Sequence, residues 1–112
     1  MANQRLEKLQ SFFQENPNDP FLLFALAQEY GKMEEDHQSL EHYNLLTERH
    51  PDYVGTYYHL GKLLEKLARP ADAFSTYRRG MEVAKSAGDQ HAYSELAGAK
   101  LALGDDEDFP EE

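Results

Sequence analysis

The side chains able to do acid–base or metal chemistry are five histidines, His37, His42, His50, His59 and His91, and an acidic run, Glu34-Glu35-Asp36. Their spacing argues against a catalytic or metal centre. His37 and His42 lie five apart and do not share a helical face, while His42 and His50 lie eight apart with Pro51 directly after. Neither a His-x3-His pair nor a His-Glu-x-x-His motif occurs. His37 with Glu41 is an i,i+4 pair that could hold a metal weakly, but it reads first as a solvated helix face. The three acids suit acid–base work in principle, yet a helix N-terminus favours acids through its dipole alone. There is no cysteine, so no thiolate site or disulfide can form. The seven glycines are dispersed, with no phosphate loop or nucleophile elbow among them. The expectation is a protein that is not an enzyme, with no catalytic, metal or cofactor-binding residues and no cofactor.

These residues must sit on helices. Leu6, Leu9, Phe12 and Phe13 make one helical stripe over about residues 4–15. Asn16-Pro17-Asn18-Asp19-Pro20 stops it, and Asn18 or Asp19 can cap a second helix over 21–33 with Pro20 in its first turn. Apolar residues there are too dense for one stripe, so this helix should be covered on two sides. Asp36 is placed to cap a third helix carrying Leu40, Tyr43, Leu46 and Leu45, which Pro51 ends. A fourth, over about 53–67, buries Tyr57, Leu60, Gly61 and Leu64. A fifth starts at Pro70 and presents Ala73, Phe74, Tyr77, Met81 and Ala84. Gly88 suits a left-handed cap, Asp89 can open a sixth helix over about 90–103, and Gly104 closes it. Nothing reads as strand. The predicted fold is all-α, six short antiparallel helices in an α-α superhelix.

The chain also echoes itself at a distance of 34 residues: Leu23 matches Tyr57, Leu26 matches Leu60, Ala27 matches Gly61, Tyr30 matches Leu64, Ser39 matches Ala73 and Tyr43 matches Tyr77. Pro17 lies one period before Pro51. A fixed period of this size is the mark of a stacked repeat, whose single unit cannot bury its own apolar face. On these residues the chain resembles the tetratricopeptide repeat family, patterned as large-x-x-Leu-Gly/Ala-x-x-Tyr, then Ala-x-x-x-Phe/Tyr-x-x-Ala, then Pro. Residues 20–53 satisfy seven of its eight places, with Leu46 larger than the expected Ala. Residues 54–87 fit at Tyr57, Leu60, Gly61, Ala73 and Tyr77, with Gly80 an acceptable small residue; Lys85 departs from the expected Pro. The pattern expects Ala27 and Gly61 to let paired helices approach closely and Tyr43 and Tyr77 to reach toward the following pair. The organisation expected is a single domain over 4–104, made of a leading helix (4–16), two repeats (20–53 and 54–87) and a capping helix (89–104). An acidic tail (105–112) follows.

The resemblance implies a non-catalytic interaction module or adaptor. In that family the first helix of each pair lines a concave groove that holds an extended peptide or a partner's helix. The residues it places on that side are Phe21, Phe24 and Gln28, with Lys32 one turn further, then Tyr58, Lys62 and Glu65, then His91 and Ser94. Phe24 and Tyr58 hold equivalent places, which sets them side by side with Gln28 and Lys62 as polar neighbours. The alternative is that Phe21 and Phe24 pack on the next helix. A family subtype that grips a C-terminal carboxylate with Lys and Asn is disfavoured, because the places concerned hold Phe24, Gln28 and Lys62 and no Asn. A second function class is a self-assembling spacer unit, since Leu101 and Leu103 add apolar surface to the sixth helix. The chain is then a monomer or a weak homo-oligomer.

Charge narrows the partner. The net charge is −10, but six of the 21 acidic residues fall within 105–112; the rest of the chain has 15 acids against 11 bases, a net of −4. No basic stripe exists, so nucleic acid is not the expected partner. No run reaches the roughly 18 apolar residues of a membrane span, and no apolar leader opens the chain. A protein or peptide partner in the cytoplasm is the expectation. The tail reads as solvated and disordered. The sharper alternative folds Phe109-Pro110 back into a groove, its own or a neighbour's, with Lys62 or Lys66 answering the acids.

Overall fold

The computed structural model describes residues 3–110 and contains six α-helices among them. They are α1 (Gln4–Glu15), α2 (Pro20–Lys32), α3 (Asp36–Arg49), α4 (Gly55–Lys66), α5 (Pro70–Ala87) and α6 (Gln90–Leu103). Packed as sequential hairpins, they divide into two compact units, α1 to α3 before Val54 and α4 to α6 with the tail after Tyr53.

The helix ends follow local chemistry. Asn3 caps α1 by accepting from the Leu6 N–H at 3.0 Å, Asp19 caps α2 by accepting from Phe21, and Asp89 caps α6 by accepting from Ala92. Pro20 and Pro70 occupy first helical positions, where their missing N–H costs nothing. Gly88 takes the left-handed conformation after α5 at φ 70°. Asp36 is not a cap: it is the first residue of α3, after Glu35, which makes no side-chain capping bond. The reason lies one residue earlier. Glu34 (φ 61°) ends α2 in the left-handed region, and Glu35 N–H then donates to the Tyr30 carbonyl at 2.9 Å. Ala68 (φ 59°) ends α4 in the same way, with Arg69 N–H donating to Leu64 at 2.9 Å. The 34-residue echo therefore extends to a turn that neither sequence copy marks with a glycine.

In the first unit, Leu9 of α1 packs with Leu22, Ala25 and Leu26 of α2, and Leu6, Phe13 and Tyr30 close over them. Phe12 leaves the expected stripe and stands exposed. The N-terminal turn is fixed by Glu29, buried on α2, which takes an ion pair from Arg5 Nε at 2.9 Å. Ser39 stands where the repeat pattern has Ala, and it is buried; its hydroxyl donates to the Ala27 carbonyl at 2.7 Å, so the polar group is satisfied. In the second unit two glycines set how closely helices meet. A Cβ on Gly61 would lie 2.5 Å from Tyr77 Cζ, and one on Gly80 would lie 3.0 Å from Tyr57 Cγ and 3.1 Å from Leu96 Cδ1. Tyr77 thus covers α4 of its own pair.

Candidate protein-interaction faces

On α2 the predicted residues differ in availability. Phe21 is 59% exposed, at the mouth of the helix beside its Asp19 cap. Phe24 is half-buried, its ring 6.3 Å from Tyr43 of α3 in an edge-on contact and 5.9 Å from Tyr53. So Phe24 packs on the next helix, as the alternative reading has it, and Phe21 does not. Gln28 is half-buried and hydrogen-bonds the Tyr43 side chain. Burial pushes the Tyr43 hydroxyl up to about 12, with the Gln28 bond pulling the other way. Sequence reasoning missed Tyr53, which lies in the connection and carries no helical period to mark it.

On α4 the structure brings Tyr58, Lys62 and Glu65 into one cluster. The Lys62 ammonium lies 5.5 Å from the centre of the half-buried Tyr58 ring and 3.7 Å from Glu65 Oε2. Glu65 is fixed from its other side by the Tyr77 hydroxyl of α5, which donates to Oε2. Burial first, then that hydrogen bond and the negative charge of Glu65, push the Tyr77 hydroxyl up. It stays a neutral donor. Tyr77 is the residue that sequence reasoning assigned elsewhere, and its ring also stands 6.4 Å from Tyr58. His59, the neighbour of Tyr58, is held below its ordinary value by burial, and Glu95 opposes that shift. His91 and Ser94 are exposed on α6 and join no such cluster.

The remaining chemically capable residues stay dispersed. His37 and Glu41 are exposed, and the His42 ring packs 5.0 Å from Tyr30 with Nδ1 2.7 Å from the Gln38 carbonyl. Among the described residues no group of three or more His, Asp or Glu could hold a metal ion. No helix among them is long and apolar enough to cross a membrane.

Residues 105–108 and 110 of the tail are exposed, and the segment forms a turn beside α5. Asp105 Oδ1 accepts from the N–H groups of Glu107 and Asp108, closing a turn that returns Phe109 onto Phe74 of α5. Arg78 and Lys100 both pair with Asp106.

No family model and no curated protein matches the chain. Solved structures do. A tetratricopeptide repeat domain protein from Salinibacter ruber, known from a crystal structure, is 52% identical over 76% of this chain and 94% of its own, with a TM-score of 0.73. A solution structure of a tetratricopeptide repeat domain protein from the same organism is 51% identical, covering 79% of this chain and 89% of that one, at a TM-score of 0.76. A protein from Bordetella parapertussis is 26% identical over 92% of this chain and 89% of its own, at a TM-score of 0.77. With the helix pairs, the recurring left-handed turn and the small residues at the pair contacts already in place, that identity decides the matter: the chain belongs to the tetratricopeptide repeat family.

Proposed function

We propose that the chain is a protein-interaction module that receives a partner's extended segment or helix on the exposed face of α4. The observation that carries this reading is the α4 cluster. Tyr58 offers an aromatic surface, Lys62 stands over it exposed, and Glu65 is held by the Tyr77 hydroxyl. A partly apolar surface with a cation and an anion fixed beside it suits an apolar anchor and orients the backbone around it. Holding Glu65 in advance lowers the ordering cost of binding. In the first unit, α2 carries an exposed aromatic of its own, Phe21.

Selection of a random peptide library displayed on phage against the immobilised chain tests the reading. Enriched peptides should bind the wild type and lose at least about tenfold in affinity to a Tyr58→Ala, Lys62→Ala chain that still melts cooperatively, as expected when a main anchor is removed. Absence of enrichment, or full retention by the double variant, would sink it. A second reading, self-assembly through the last helix, is favoured by Leu101, which is 74% exposed. Light scattering on the same preparation decides between them: a dimer lost on Leu101→Glu supports assembly, a monomer the first reading.

A further inference from the structure

A second candidate recognition surface lies on α5 and α6. Phe74 is buried there between three groups. The Phe109 ring stacks on it at 4.6 Å and 23°, the Lys100 ammonium lies 4.6 Å from its centre, and the Arg78 guanidinium lies 4.9 Å away. Those two cations converge on one oxygen, Asp106 Oδ1, from Arg78 Nη2 at 3.1 Å and Lys100 Nζ at 3.3 Å. Both cations are mostly covered, whereas the Asp106 side chain is 76% exposed. The receiving side is therefore built from two helices, and the received side is a short surface turn. A cleft of about 740 Å³ continues beside it along α5, between Ala71, Ser75 and Arg78 on one wall and Phe109 and Pro110 on the other.

The hinge into this arrangement is Gly104. Its φ of 153° and ψ of −163° fall in a region that only glycine occupies readily. A Cβ there would also lie 2.7 Å from Asp108 Oδ2 and 3.1 Å from Phe109 Cε2. The closed tail thus depends on a glycine at this position.

We propose that the surface of Phe74, Arg78 and Lys100 is a docking site for a partner's segment of the form Asp-x-x-Phe, and that the chain's own Asp106-x-x-Phe109 fills it in cis until such a segment displaces it. The carboxylate reads the two cations and the aromatic ring, three positions on, reads Phe74. A tail tethered through Gly104 competes at an effective concentration in the millimolar range, so only a partner that binds well or arrives in number opens the site. This site is independent of the α4 cluster, and either stands if the other fails.

The test uses a fluorescein-labelled peptide with the sequence of residues 104–112 and fluorescence anisotropy. Wild type should bind it weakly. Phe109→Ala, which disarms the tail without removing it, and Gly104→Ala, which disfavours its closed path, should each bind at least about tenfold more tightly, as release from a millimolar competitor requires. Adding Arg78→Ala and Lys100→Ala to Phe109→Ala should abolish binding, and a peptide lacking the aromatic ring should not bind. Equal affinity for wild type and Phe109→Ala, or binding that survives loss of both cations, would overturn the proposal. So would a Phe109→Ala chain that no longer melts cooperatively, since the tail would then be part of the fold. A wild-type dimer abolished by Phe109→Ala would place the tail in a neighbour's site and overturn the arrangement in cis.

Discussion

Two glycines show how much a single position depends on its surroundings. Replacing glycine by alanine inside a helix ordinarily gains about 1 kcal/mol from backbone entropy. Gly98 on α6 has nothing within 4 Å of where a Cβ would stand, so Gly98→Ala should gain roughly 0.5–1 kcal/mol. Gly61 is the opposite case. The same methyl would enter the Tyr77 ring, whose side chain is fully buried and tied to Glu65. Overpacking of this kind costs about 1–3 kcal/mol or more, so it outweighs the propensity gain and Gly61→Ala should lose about 1–2 kcal/mol net. Urea unfolding of the two variants checks the signs. A Gly61→Ala chain as stable as wild type would mean that Tyr77 can swing aside at no cost.

At the scale of elements, helix bounds, the Asp19 and Asp89 caps and the repeat were readable because they rest on residues adjacent in sequence or one turn apart. The contacts that define the candidate faces were not, because they join positions on different helices. Tyr77 meets Glu65 from 12 residues away, and Arg78 meets Asp106 from 28. An acidic run signals solvation locally, and only the folded α5 and α6 supply the cations and the ring that hold it. The left-handed turns at Glu34 and Ala68 were hidden for another reason, since neither position carries the expected glycine. Phe21 and Phe24 show the same division within one helix. Sequence assigns both to the binding side, and only the position of Tyr43 and Tyr53 separates them. Phe24→Ala removes two ring contacts and a half-buried side chain, and should cost about 1–3 kcal/mol. Phe21→Ala, at an exposed site, should stay within about 0.5 kcal/mol of wild type. Equal losses in urea unfolding would show that Phe24 contributes nothing by its packing.

For the molecule as a whole, acid should act in two separate stages, because two groups are displaced from their ordinary values by different causes. Burial holds His59 below 6.5, so between that lowered value and 6.5 the unfolded chain binds more protons than the folded one. Stability therefore falls as pH drops through this window, less steeply than burial alone would dictate because the Glu95 charge favours the proton. Asp106 is lowered from 3.8 by its hydrogen bonds to Lys100 and Arg78. Its contribution is complete above 3.8 and is lost as pH falls through the lowered value, so the tail should stay docked throughout the histidine stage. Urea midpoints at pH 7.5 and 5.5, measured with the ring-proton shifts of Phe109, separate the two stages. The wild-type midpoint should fall between these pH values and fall less in His59→Gln, while the Phe109 signals keep their stacked positions until the pH is below about 4, where carboxylates protonate. An equal fall in both chains would remove His59 from the first stage, and Phe109 signals that move by pH 5.5 would show that the tail is held by something other than the Asp106 carboxylate.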